Sequence, residues 1–398
     1  MTEQALDFDT MLAHAERESG AYGLADAGLR GRIAAMLDWI NGRGPYTPEQ
    51  IDGMRRQLHR LLVTRLRLAG DRKRYPGIAE VKIERPIFVI GFARSGTTLL
   101  HSLLAEDPEV LAPKAWHMHV PSPPPGAGPV CAGRLALAQR AVERWLDYCP
   151  TQLVMHPYAD QGAQQLIENE EVFSLDFWNA YPTLYYKMPT LDVRVILGED
   201  GGVGAHRFHR ELLQHLQWNT GKTRWACKGP SAQHHLSALF DAYPDALCVW
   251  THRPLGEIYA SNVAIRAATY DTINGRPNDW SSQARAQAEG LKAAIDGLMA
   301  NAQIDDPRIL HLPFRELSAD PIGAVRKIYD RAGQTMTGDY EARLRVWLAN
   351  PENQIDRYGR YPYAYEPLGL DKAWIEGLFA DYSRRFGLDA RRPTVEAA

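Results

Sequence analysis

Cysteine is scarce in this chain. Cys131, Cys149, Cys227 and Cys248 are the four in 398 residues, widely spaced and without a C-x-x-C pair. That pattern excludes a disulfide framework and the usual zinc spacing, and suits reduced thiols in a cytoplasmic protein. No apolar run reaches membrane-spanning length. The opening MTEQALDFDT is acidic, so no signal peptide is expected. The net charge of −3 leaves no broad basic face for nucleic acid, so any anion site has to be local. No Ser/Gly linker, charge block or internal repeat divides the chain. With 45% hydrophobic and 23% charged residues it has ample core. The expectation is an α/β domain over 81–398 behind a helical segment over 1–80, with homo-oligomerisation left open.

Residues 86–98, PIFVIGFARSGTT, carry the strongest signal. Ile87 to Ile90 form a short apolar run between Pro86 and Gly91, as in a strand buried on both faces. Leu99, Leu100, Leu103 and Leu104 then make one apolar helix stripe. Between them lies Gly91-x4-Gly96-Thr97-Thr98, a loop able to wrap an anion with backbone N–H groups at a helix start. A nucleoside-triphosphate P-loop would carry lysine where Thr97 stands. Here the loop cation comes earlier, at Arg94.

A second strand, Ala246 to Trp250, runs into Thr251-His252-Arg253-Pro254 and a helix through Ser261. Arg253 falls at the carboxyl end of that strand, the edge where open α/β sheets bind ligands. Arg253 with Ser261 makes a clamp for a terminal phosphate. The strand supplies no aspartate for magnesium. A kinase or NTPase therefore lacks both its lysine and its metal acid, and no metal is expected.

Thr47-Pro48-Glu49-Gln50 is a helix capping box, followed by an apolar stripe through Ile51, Met54, Leu58, Leu61, Leu62 and Leu66. The arginines of this segment, Arg55, Arg56, Arg60, Arg65 and Arg67, suggest a solvated face. Helices are expected over 231–242, 280–302, 321–332 and 371–386, and strands over 224–228 and 308–313. Alternating strands and helices imply a three-layer α/β fold with a mostly parallel sheet.

R-S-G-T-T after a strand, with T-H-R-P…S downstream, resembles the sulfotransferases that use 3′-phosphoadenosine 5′-phosphosulfate (PAPS). The bacterial branch is the nearer likeness, through R-S-G-T-T-L-L-H, Ala112-Pro113, Trp116-His117-Met118 and Pro121 to Pro125. The resemblance covers roughly 80–390 and implies a P-loop-like fold. It also implies that Arg94, Ser95, Gly96, Thr97 and Thr98 bind the 5′-phosphosulfate, and that Arg253 and Ser261 bind the 3′-phosphate. A basic, glycine-containing loop of the family corresponds to D-R-Y-G-R-Y, where Arg360 is the candidate for the 3′-phosphate and Arg357 and Gly359 its companions. There are two departures. Cytosolic eukaryotic relatives have lysine where Arg94 stands, and many bacterial relatives have glutamate where His117 stands.

The acceptor proton needs a base. His117 leads, because it follows the first helix by a short loop and titrates near working pH. His119 is the rival, since in an extended segment the two point the same way. Glu168, Glu170 and Glu171 are a third option, with a helix's solvated face as the simpler account of their spacing. Lys228, ending a strand at the ligand edge, is a catalytic candidate for contact with the transferring sulfonate or the acceptor; a turn lysine in solvent is the alternative. Phe173, Phe177, Trp178, Tyr181, Tyr185 and Tyr186 would line an acceptor pocket or lie in the core. The expected activity is metal-independent transfer of a sulfuryl group from PAPS to a hydroxyl or amine of a small-molecule acceptor. A P-loop kinase and a non-catalytic nucleotide-binding scaffold are the alternatives.

Overall fold

The structure, a computed structural model, describes residues 6–21, 23–24, 26–42, 45–179, 200–274, 279–359, 361 and 363–388. At its centre is a five-stranded sheet: β1 (Ile87–Ile90), β2 (Val110–Leu111), β3 (Arg224–Gly229), β4 (Leu247–His252) and β5 (Ile309–Pro313). The spatial order is β2-β3-β1-β4-β5 and every pairing is parallel. From β1 the chain first fills one side of the sheet and then crosses to the other. The carboxyl end of β1 is therefore the topological switch point, where a crevice opens.

Strand alternation sorts the core into two layers. Phe88 and Ile90 of β1, Trp225 and Cys227 of β3, and Cys248 and Trp250 of β4 face one cluster. Ile87, Val89, Ala226, Leu247 and Val249 face the other. The second layer is filled by α4 (Thr97–Ala105), through Leu100, Leu103 and Leu104, and by the later helix Pro321–Arg331.

The first layer takes in the amino-terminal helices α1 (Phe8–Ser19), α2 (Ala27–Asn41) and α3 (Pro48–Arg74). Thr47 caps α3 by accepting from Gln50 N at 3.2 Å, while Thr47 N donates to Gln50 Oε1 at 2.9 Å. All six residues of the α3 apolar stripe are buried. One continuous core thus spans residue 80, where helices give way to the sheet.

The helix expected over 371–386 is two, Lys372–Leu378 and Ala380–Arg385, and that over 231–242 opens with a 3-10 turn, Ala232–His234, before Leu236–Ala242. The α3 arginines are not a uniform solvated face. Arg65, with Arg32, pairs with buried Asp176, at 2.8 and 2.6 Å, and Arg60 Nη1 donates to the Met118 carbonyl at 2.9 Å.

Candidate active site

The loop between β1 and α4 is shaped by close approach. Gly91 has φ +135, and a Cβ there would meet the Thr251 carbonyl oxygen at 2.6 Å. Gly96 has φ +96, and its Cβ would fall 2.5 Å from the Phe314 ring. Both positions therefore require glycine. Arg94 is itself left-handed, at φ 72. Its guanidinium donates to the Met155 carbonyl at 2.8 Å, which uses one of five N–H groups and leaves the fork for an anion. Ser95 is buried; its hydroxyl donates to the Phe92 carbonyl at 2.7 Å and lies 2.7 Å from Thr251 Oγ1. Its side chain ties the loop to β4. The first-turn amides of α4, at Thr97 and Thr98, lie where a helix has no carbonyl one turn behind.

The second clamp is joined to the first. Arg253 Nη1 donates to the Arg94 carbonyl at 3.4 Å, and Nε donates to Glu257 at 3.1 Å. The guanidinium lies 4.8 Å from the Phe314 ring that also packs on Gly96. Ser261 is buried, and its hydroxyl has no protein partner among the described residues. Beside it, Asn262 Nδ2 donates to the Ala93 carbonyl at 3.3 Å, which holds this helix against the loop.

Lys228 is buried at the end of β3, opposite Val89. Its Nζ donates to Thr98 Oγ1 at 3.2 Å and pairs with Glu168 Oε1 at 2.9 Å. The solvated alternative for this lysine is thereby set aside. Glu168 is the amino-terminal cap of a short helix, Asn169–Leu175, and its N–H donates to Glu171 Oε2 at 2.8 Å.

The three glutamates are not a solvated face, as their spacing had suggested. Burial first, and then the Glu168 charge, raises the carboxyl pKa of both Glu170 and Glu171. Glu170 accepts from Ser231 N at 3.0 Å and from the Ser231 hydroxyl at 2.5 Å. A helix start flanked by Leu166, Ile167, Val172 and Phe173 is apolar on every side, and that was the signal available in the sequence.

His156 also belongs here. Burial, then Arg94 and Lys228, push its imidazole down to about 4, and Glu168 partly opposes them. Nothing in its sequence neighbourhood marked it.

His117 is placed differently. It lies in a short helix, Ala115–His119, not in an extended segment, so it and His119 leave the backbone in different directions. Its Nδ1 accepts from Lys114 N at 3.0 Å, which caps that helix. Burial, then Lys114, Arg134 and His215, lower it to about 3, and none of these neighbours belongs to the cradle. His119 is likewise pushed down to about 3, by burial and then Arg60. Phe173, Phe177 and Trp178 are buried in the core, whereas Tyr181, Tyr185, Tyr186 and Arg360 lie outside the described residues. Arg357 is held by Asp160, at 2.9 Å, and does not reach back to the clamp as a free cation.

A cavity of about 720 Å³ opens beside this cluster. It runs between α3, the helix Ala132–Tyr148 and the helix that Glu168 caps, and Glu171 borders it. The size suits a small organic molecule.

The sequence model of the sulfotransferase family matches residues 86–338, which include both clamps and Lys228. The chain belongs to the sulfotransferase family. It is therefore an enzyme of sulfuryl transfer, and a small-molecule acceptor follows from that. Similar sulfotransferases include the omega-hydroxy-beta-dihydromenaquinone-9 sulfotransferases of Mycobacterium bovis and Mycobacterium tuberculosis. Each is 23% identical over 332 residues, 79% of this chain and 79% of the relative. Among solved structures, a sulfotransferase from Mycobacterium avium shares the fold with a TM-score of 0.79 at 24% identity, over 98% of this chain and 99% of that one. Another, from Mycobacterium tuberculosis, gives 0.70 at 23% identity, over 96% and 100%. As in those sulfotransferases, a P-loop-like fold carries the site. Among the described residues, no helix is long and apolar enough to cross a membrane.

Proposed function

We propose that this sulfotransferase takes its sulfuryl group from PAPS, passes it to a hydroxyl or amine without a metal, and uses Glu168 as the base. The observation that carries this reading is Lys228, which ties the Glu168 carboxylate to Thr98 at the helix end of the cradle. Arg94 and the first-turn amides of α4 would hold the sulfonate and the 5′-phosphate, where charge shifts during transfer. Arg253 and the hydroxyl of Ser261, unpartnered among the described residues, fit a terminal phosphate.

The acceptor oxygen attacks sulfur as the bond from sulfur to the 5′-phosphate oxygen breaks, and the acceptor proton goes to Glu168. Lys228 can then follow the charge toward the leaving phosphate. His117 has no part in this step, because its Nδ1 is already committed to the Lys114 amide. The three buried, unpaired cysteines suit a reducing compartment such as the cytoplasm.

The test is transfer of label from ³⁵S-PAPS to a panel of phenols and aliphatic alcohols in the presence of EDTA. The reading expects a labelled sulfate ester. Label that stays on the donor with every acceptor, together with phosphoryl transfer from ATP and Mg²⁺, would overturn it.

A further inference from the structure

The cavity beside the cluster has two chemically distinct ends. Its inner end reaches Glu171, one hydrogen bond from the Glu168 amide, at 2.8 Å. Its outer end carries the exposed Arg56 of α3 and Arg144 of the helix Ala132–Tyr148. Between them the wall is largely apolar, with Met118, Val142, Trp145, Ile167 and Leu175. Arg60 adds a third guanidinium, steered by its bond to the Met118 carbonyl. Asp147 is the acidic residue near the rim.

Asp147 is thus the carboxylate set against three guanidiniums. Burial favours the neutral form of Glu171, so it adds little negative charge at the inner end. An apolar wall stabilises a hydrocarbon body in proportion to the apolar area it removes from water. Cations at the exposed mouth then favour an anion there, and they favour it over a hydroxyl.

We propose that this cavity receives the acceptor and that Arg56 and Arg144 select an amphipathic one. Its hydroxyl lies at the Glu168 end, its body is apolar, and its far end carries an anionic group such as a carboxylate. This rests on the sulfuryl-transfer reading above and names the substrate class of the same site.

The experiment compares 12-hydroxydodecanoate with 1,12-dodecanediol, two probes of matched length. Binding is measured by calorimetry with saturating adenosine 3′,5′-bisphosphate, and ³⁵S transfer is measured separately. The hydroxy acid should bind at least about tenfold more tightly than the diol, the scale of one charged hydrogen bond. In the double variant Arg56→Gln/Arg144→Gln that preference should fall to near parity, and each single variant should lose part of it. Since the readout is a ratio within one protein, a partly unstable variant still gives an answer. Equal binding of the two probes, no binding of either, or a preference that survives the double variant would overturn the proposal. Selective binding without any label transfer would instead count against PAPS as donor and leave the cavity's selectivity standing.

Discussion

Lys228 Nζ lies 2.9 Å from Glu168 Oε1, and through Thr98 the same ammonium touches the first turn of the cradle helix. A carboxylate and the helix end that would receive the sulfuryl donor are thus held by one buried side chain. From this follows the order of importance among the acidic and imidazole groups nearby.

Glu168→Gln keeps the size of the side chain and removes its ability to take a proton. Turnover with an aliphatic alcohol should fall by roughly 10²–10⁴. Affinity for adenosine 3′,5′-bisphosphate, measured by calorimetry, should change little. The defect should shrink with an acidic phenol, which arrives partly ionised. Near-normal turnover with the alcohol would remove Glu168 from the reaction.

His117→Asn separates capping from proton transfer. Asparagine can still accept from the Lys114 amide, so turnover at neutral pH should stay near normal. Its effect on stability should appear in acid. The folded protein keeps His117 neutral down to about 3, while the unfolded chain takes a proton at the usual 6.5. The stability from neutral His117 is therefore present above pH 6.5 and lost as pH falls toward 3. At pH 5 that loss is about 2 kcal/mol, from 1.5 pH units at about 1.36 kcal/mol each. Denaturant unfolding at pH 7.5 and pH 5 should show the variant losing less than the wild type. An equal loss would contradict the assignment, and a collapse of turnover would return the base to His117.

Arg94→Ala removes the cation of the loop. Because charge moves during transfer, kcat should fall more than donor affinity does. Steady-state kinetics with PAPS checks this, and full activity would contradict the cradle.

Much of the frame was legible in the sequence because it is written locally. Pro86 to Gly91 reads as a buried strand, Gly91 and Gly96 mark a loop in which a Cβ would collide, and the leucines of 99–104 name the helix face. Arg253 at a strand end was equally local. The base proposed here was not. Glu168 is singled out by Lys228, 60 positions away in sequence, and that pairing exists only once the helix Asn169–Leu175 is packed against β3. The same holds for His156, which meets Arg94 and Lys228 through tertiary packing alone. At His117 the extended segment that was expected is a short helix, which turns the ring to its own backbone.

The most direct test of the account is the affinity of adenosine 3′,5′-bisphosphate and of adenosine 5′-phosphate for the wild type and for Arg253→Ala, by calorimetry in EDTA. Loss of the clamp should weaken the bisphosphate by roughly 1.5–3 kcal/mol, the scale of a hydrogen bond to a charged group, and leave the monophosphate almost unchanged. If both nucleotides lose affinity equally, or if neither binds without magnesium, Arg253 does not read a 3′-phosphate and PAPS is not the donor.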